Sequence, residues 1–336
     1  MKLSRRRLLS VGSGALASEV IGAPFIARAQ QANRIRRIGV LMAYAESDSE
    51  AQSYIAALRD GLGKLGWTEG RNIHIDYRWS TPDLQLIEQS AKELIGLQLD
   101  LIVSSGSPTT VALLEQTRTI PIIFANAVDP VGQGFVASLA KPGGNVTGFI
   151  NLEPSIAGKY LELLKEIAPR VTRVAIYFNP ATAPYAEIYL NSFRAAAASL
   201  SVEPIAAPVH DMIELETVIA AVARAPNGGL IAMPDGFNTA HRVEVTSLAA
   251  RYHLPAVYPG RQFTEVGGLL SYGNDVRDNY RRAAGYVDRI LKGEKPSELP
   301  AQFPVKFELG VNLKTAKALD LDVSSSLQQR ADEVIE

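Results

Sequence analysis

Short, continuous apolar runs recur along the chain, and each is followed by a segment whose apolar positions repeat at helical spacing. Arg36-Arg37-Ile38-Gly39-Val40-Leu41-Met42 has the character of a strand, and in 49–65 Tyr54, Leu58, Leu62 and Leu65 share one helical stripe. Residues 73–79 alternate as a strand, 82–95 carry Pro82 near a first helical turn, and Leu99-Asp100-Leu101-Ile102-Val103 is the third strand. The last of these leads through Ser104-Ser105-Gly106-Ser107-Pro108 into a helix ending near Gln116. Ile120-Pro121-Ile122-Ile123-Phe124 is the fourth run, continuous as in strands buried on both faces of a parallel sheet. Four strand-helix units in succession predict a doubly wound parallel sheet. A short helix is predicted over 132–139, and a Pro-Gly turn over 141–145. A strand over 146–150 then leaves this lobe for another.

The alternation restarts after a helix at 156–167. Strands are predicted at 173–178, 202–209, 229–233 and 255–258, with helices at 184–200, 213–224 and 239–252. Gly268-Leu269-Leu270-Ser271-Tyr272-Gly273 is a glycine-bounded apolar run suited to a second crossing. A long helix over 275–291, a strand over 303–311 and helical pieces complete the chain. The halves 33–150 and 151–270 thus repeat one architecture without visible sequence identity. The expectation is two α/β lobes with a cleft between them.

A chain of 336 residues, 47% of them hydrophobic, is long enough to fill two such cores. Its net charge of -1 supplies no basic face, so no nucleic-acid partner is expected. With no cysteine, the chain has no disulfide, no thiolate metal site and no Cys nucleophile. Residues 1–29 read as an export signal of the twin-arginine type. Ser4-Arg5-Arg6-Arg7 precedes a weakly apolar stretch, and Ala27-Arg28-Ala29 fits cleavage after Ala29, which would deliver the protein to the periplasm. No other stretch approaches the roughly 18 uninterrupted apolar residues of a membrane span.

Two glycine motifs imitate a dinucleotide fingerprint, Gly61-Leu62-Gly63-Lys64-Leu65-Gly66 and Gly12-Ser13-Gly14-Ala15-Leu16-Ala17. Neither lies between a strand and the helix it feeds, where the glycines would bring backbone amides to a pyrophosphate. No cofactor is expected. His74, His210, His241 and His253 fall on separate elements without metal-ligand spacing, and no nucleophile elbow is present, so no metal and no catalytic residue is assigned. His74 alternates with Ile73 and Ile75 as a solvent-facing residue, whereas His210 sits at a strand end and could reach the cleft.

The candidate chemistry lies in the loops at the carboxyl ends of the strands, where open α/β sheets bind ligands. Ser105, Gly106 and Ser107 precede a helix, so hydroxyls and amides there suit a carboxylate; capping by Ser107 explains the same residues without a ligand. Asn126 and Val128 offer amide and backbone contacts, and Asp129 reads as turn chemistry. On the facing lobe Asn179 and Asp235 are placed to contact a solute. Asp235 is the candidate for an ammonium, with capping of the following helix as the other reading. Tyr44, Tyr258 and Tyr272, at or beside strand ends, have rings to cover an apolar group. Trp67 and Trp79 are assigned to packing in the first lobe.

Several longer motifs carry a resemblance. They are Gly61-Leu62 with Leu65-Gly66-Trp67 and Glu69-Gly70-Arg71-Asn72, Asp129-Pro130-Val131-Gly132, Lys141-Pro142-Gly143-Gly144-Asn145-Val146-Thr147-Gly148, and Gly267-Gly268-Leu269 with Ser271-Tyr272-Gly273. Tyr280-Arg281-Arg282-Ala283-Ala284, Lys306-Phe307-Glu308-Leu309 and Asn312-Leu313-Lys314-Thr315-Ala316-Lys317-Ala318-Leu319 extend it over nearly the whole mature chain. Together these resemble the ABC-transporter substrate-binding protein family that includes tryptophan- and tyrosine-binding members. The family often shows Gly-Thr-Pro where this chain has Gly106-Ser107-Pro108. The resemblance implies a type I periplasmic-binding-protein fold: two doubly wound parallel-sheet lobes joined by a three-strand hinge, without catalysis. The lobes would comprise 33–150 with about 272–298, and 151–271 with about 299–336.

The expected function is a periplasmic solute receptor, monomeric, that delivers a small carboxylate-bearing solute to an ABC importer permease in the inner membrane. An aromatic amino acid or aromatic acid is the solute class favoured. The alternatives are a secreted hydrolase using the same cleft and a sugar-responsive repressor of this fold. The repressor would need a DNA-binding helix-turn-helix where the export signal stands.

Overall fold

The first sheet is all parallel, built from β1 (Arg36–Met42), β2 (Ile73–Trp79), β3 (Leu101–Ser104), β4 (Ile122–Ala127) and β5 (Val146–Ile150) in the order β2-β1-β3-β4-β5. These strands come from a computed structural model that describes residues 34–153 and 155–336; the export signal expected over residues 1–29 lies outside the described residues. Crossovers are made by α1 (Ser49–Lys64), α2 (Leu84–Ile95) and α3 (Ser107–Gln116). Helices α1 and α2 start at aspartates: Asp48 and Asp83 each accept two backbone amides of the first turn, satisfying donors that no helix can satisfy internally. The stripe Tyr54, Ile55, Leu58 and Leu62 of α1 is buried against the sheet.

The second sheet has seven strands: β6 (Arg173–Phe178), β7 (Glu203–Pro208), β8 (Gly228–Ala232), β9 (Ala256–Tyr258), β10 (Leu270–Asn274), β11 (Phe307–Asn312) and β12 (Glu333–Ile335). Their order is β7-β6-β8-β9-β10-β11-β12, parallel except for the antiparallel β10–β11 pair. Helices α4 (Ile156–Ile167), α5 (Ala186–Ser199), α6 (Met212–Ala223), α7 (Gly236–Ala240), α8 (Arg242–Arg251) and α9 (Arg261–Thr264) cover its faces. The first five strands of each sheet therefore share one order, second-first-third-fourth-fifth. The duplication read from the sequence is a duplication of topology.

The chain then returns to the first lobe. Helix α10 (Val276–Leu291) packs on α1, with Tyr280 stacked on Tyr54 at 5.2 Å between ring centroids. After a short 3-10 turn (Pro296–Glu298), Gln302 exchanges backbone hydrogen bonds with Gly148 and Ile150 beside β5. The chain then re-enters the second sheet as β11 and closes with α11 (Leu313–Ala318), α12 (Ser325–Arg330) and β12. The chain passes between the two sheets at 150–156, at 274–276 and at 302–307. Residues Arg36–Glu336 form one compact unit.

Two glycines are required by close approach. A Cβ on Gly61 would stand 2.7 Å from the Ala284 methyl and 2.9 Å from the Arg281 carbonyl oxygen. The glycine that imitates a phosphate motif is therefore the contact point of α1 with α10. Gly148, at φ +152, lies so near β4 that a Cβ would meet the Phe124 carbonyl oxygen at 2.0 Å.

Three local expectations fail. Residues 132–139 form turns and not a helix, because Asp129 (φ +39) accepts the Gly132 amide and Gly134 (φ +73) takes a left-handed conformation. The helix predicted over 239–252 is two helices meeting at His241, the first starting earlier, at Gly236. The terminal strand β12 was absent from the sequence reading. Its three residues are too short to show a period.

Candidate functional site

In a sheet ordered second-first-third, the loops after the first and third strands diverge and leave a crevice at their carboxyl ends. Both sheets have such a switch point, between β1 and β3 in one lobe and between β6 and β8 in the other. The two crevices face each other across one cleft, which encloses about 740 Å³ of space continuous with solvent.

The first lobe contributes Tyr44 after β1, Ser105, Gly106 and Ser107 after β3, and Asn126 at the end of β4. The hydroxyls are oriented by what they accept. Ser105 Oγ accepts the Ala43 amide at 3.0 Å. Ser107 Oγ accepts the Val128 amide at 3.1 Å and the Gln133 side-chain amide at 3.0 Å. A hydroxyl has two acceptor positions and one donor, so Ser107 has its O–H left for the cleft. Ser107 does not cap α3; the N-cap is Gly106, whose amide donates to Thr109 Oγ1 at 3.0 Å. Asn126 Oδ1 is buried without a partner, an oxygen placed for a donor that the protein does not supply.

The second lobe contributes Thr182 and Tyr185 after β6, Pro234, Asp235, Gly236 and Thr239 after β8, and Pro259 and Gln262 after β9. Asp235 is the single charged group among the lining residues. It is buried and caps α7, with Oδ1 accepting the Phe237 amide at 3.0 Å and the Thr182 hydroxyl, and Oδ2 accepting the Asn179 amide at 2.8 Å. Burial pushes its pKa up to about 6, against the pull of those three hydrogen bonds. A second acceptor position on Oδ2 remains, and a cation brought to it would relieve the cost of the buried charge. Tyr185 is fixed by donating its hydroxyl to the Pro234 carbonyl at 2.8 Å. Tyr44 lies edge-on to Tyr54 at 6.0 Å, and both rings line the cleft.

Of the residues singled out from the sequence, Tyr44, Ser105, Gly106, Ser107, Asn126 and Asp235 line this cleft together. Val128 and Asn179 stand one layer behind, their amides holding Ser107 and Asp235. Two tyrosines do not reach it. Tyr258 lies within β9 and stacks on Phe263 in the core at 5.1 Å, and Tyr272 lies in β10 against Phe307 at 5.9 Å. Pro259 and Gln262 just beyond β9 do line the cleft, but the Tyr258 ring turns into the core behind that strand. His210 is also outside, exposed and paired with Glu214 at 2.9 Å. His74 is exposed, and Trp67 and Trp79 pack in the first lobe, as expected. Among the described residues no three metal-ligating side chains cluster. Tyr54, Thr182, Tyr185, Thr239 and Gln262 went unrecognised in the sequence; three of them, Tyr54, Thr239 and Gln262, lie within helices. The order of the strands, had it been fixed, would have pointed to Thr182 and Tyr185.

Comparison with known proteins bears on the family and the fold. A family model described as ABC transporter substrate binding protein matches residues 38–335. A curated tyrosine-binding protein of Clostridioides difficile (strain R20291) is 25% identical over 296 residues, covering 87% of this chain and 83% of that protein. The structure of an ABC domain from Streptococcus pneumonia in complex with L-Trp overlays with a TM-score of 0.82 at 25% identity, covering 89% of this chain and 99% of that one. A conserved domain protein from Vibrio cholerae gives 0.83 at 26% identity, over 90% and 100% of the two chains.

Proposed function

The chain belongs to the ABC transporter substrate-binding protein family, and from that premise we propose that it is the solute receptor of an importer, closing two lobes on an aromatic α-amino acid. The observation that carries this reading is the division of labour across the cleft: Ser107 with an O–H to give on one side, Asp235 with a buried carboxylate on the other. The first suits a carboxylate, the second an ammonium. Tyr44, Tyr54 and Tyr185 would enclose an aromatic side chain between them. The similar proteins described as tyrosine-binding and as holding L-Trp support the same class. An aromatic acid without an ammonium would leave Asp235 unbalanced, so the amino acid is favoured over the acid.

Export through residues 1–29 with cleavage after Ala29, periplasmic residence and a permease partner in the inner membrane complete the proposal. So does division into lobes 33–150 with about 272–298, and 151–271 with about 299–336. Among the described residues no helix is long and apolar enough to cross a membrane. For the hydrolase reading, the one histidine expected near the cleft pairs on the surface with Glu214, so no observation favours it.

A thermal-shift panel of L-tryptophan, L-tyrosine, L-phenylalanine, benzoate and sugars tests the proposal. A ligand at 100 times its Kd stabilises the fold by about 2.7 kcal/mol. A shift with the aromatic amino acids and intact ligand recovered afterwards is expected. A shift with sugars alone, or ligand recovered as product, would overturn the proposal.

A further inference from the structure

A short ion pair joins the loop after β1 in one lobe to α8 in the other. Asp48 Oδ2 accepts from Arg242 Nη1 at 2.7 Å, with side chains only 12% and 13% exposed. Asp48 ends the loop after β1, four residues beyond Tyr44, and Arg242 opens α8.

Each partner is anchored to its own lobe by a separate bond. Asp48 Oδ1 accepts the Glu50 and Ala51 amides at 2.9 Å, so the carboxylate caps α1 whether or not Arg242 is present. The same Nη1 of Arg242 also donates to the Thr239 carbonyl at 3.0 Å. Thr239 lines the cleft, and its hydroxyl donates to the Asp235 backbone carbonyl at 3.0 Å. Arg242 is thereby tied through α7 to the loop that carries Asp235. Nothing within either lobe needs the pair: if the lobes separated, each charge would keep its local partner and regain water. The pair forms only when the lobes approach. It is therefore a contact made by one conformational state, and a contact of that kind biases an equilibrium between states.

We propose that Asp48 and Arg242 form a latch that stabilises the closed arrangement of the lobes and so sets ligand affinity without touching ligand. The proposal rests on the receptor reading for its ligand, but not for its conformational part. Ionised partners this well shielded from water are coupled, and removing one leaves the other desolvated in the closed state alone. The open state is unaffected. The two side chains are positioning residues.

The chain has no cysteine, so Glu88→Cys and Ile213→Cys, at exposed positions in the middle of α2 and at the start of α6, place two spin labels without background. In this labelled protein, Asp48→Asn keeps an N-cap oxygen while removing the charge, and Arg242→Gln removes the other charge. Without ligand, either substitution is expected to move the interlobe distance distribution toward longer separations. The double variant should move it no further than the single ones. With L-tryptophan as probe, each single variant should weaken binding about tenfold through a faster off-rate, again without additivity. Unchanged distances in both single variants, or strictly additive effects in the double, would overturn the latch. Should the distances shift while neither L-tryptophan nor L-tyrosine binds the unsubstituted protein, the latch stands and the ligand assignment falls.

Discussion

The two walls of the cleft are built on the same strand order but recognise by different physics. The first lobe offers neutral dipoles: hydroxyls turned outward by the amides they accept, and the unpaired Asn126 oxygen. The second offers a formal charge, Asp235, buried and held by three donors, with its pKa raised to about 6. A dipole wall is selective by geometry and tolerates pH. A buried carboxylate is selective by charge and depends on pH. The difference teaches that a duplicated topology can place unlike chemistry at equivalent switch points, as the proposed zwitterionic ligand would require.

The sharpest way to break this contrast is to neutralise the charged wall. Asp235→Asn keeps shape and the Oδ1 cap, at the loss of the acceptor for the Asn179 amide, and should weaken L-tryptophan about a hundredfold by titration calorimetry, on the order of 2.7 kcal/mol. Retained affinity would show that the second lobe also recognises by dipoles. Ser107→Ala, on the other wall, should cost about tenfold, as for one lost hydrogen bond to a charged group. An unchanged Kd would mean that the O–H points elsewhere.

The pH response comes next in size. Only ionised Asp235 serves an ammonium, so affinity should fall as pH drops through about 6. Between pH 7.5 and pH 5.5 the expected loss is about fourfold, absent in Asp235→Asn. The unliganded protein should show the opposite sign in stability. Its folded state holds a proton that the unfolded chain releases near 3.8, the ordinary carboxyl value, so this group's contribution is lost as pH rises toward about 6. A denaturation series across that range, compared with Asp235→Asn, checks the sign. The smallest effects are expected from Tyr258→Phe and Tyr272→Phe, which lie off the site and should leave Kd within about twofold.

Much of this was legible in the residues, and unevenly so. Apolar runs such as Ile122–Ala127 are continuous because both faces are covered, and strand, loop and helix follow one another with clear punctuation. Ser105-Gly106-Ser107 was readable because its polar groups are contiguous in one strand-end segment. The second wall was only partly readable. Asp235 announces itself before a helix, but Thr182, Tyr185 and Gln262 become neighbours only once β6, β8 and β9 are set side by side. Tyr258 and Tyr272 show the converse error, since a strand-end position says nothing of which way the ring turns. The return of α10 to α1 left its trace in Gly61, whose missing side chain admits Ala284.

The account stands or falls on the claim that one wall takes a carboxylate and the other an ammonium. Calorimetric titration with L-tryptophan and with indole-3-propionate, which lacks the ammonium alone, tests it most directly. The expected result is one L-tryptophan per chain, with indole-3-propionate weaker by about a hundredfold and the gap closed in Asp235→Asn. Equal affinity for the two in the unsubstituted protein, or binding of neither, would contradict it.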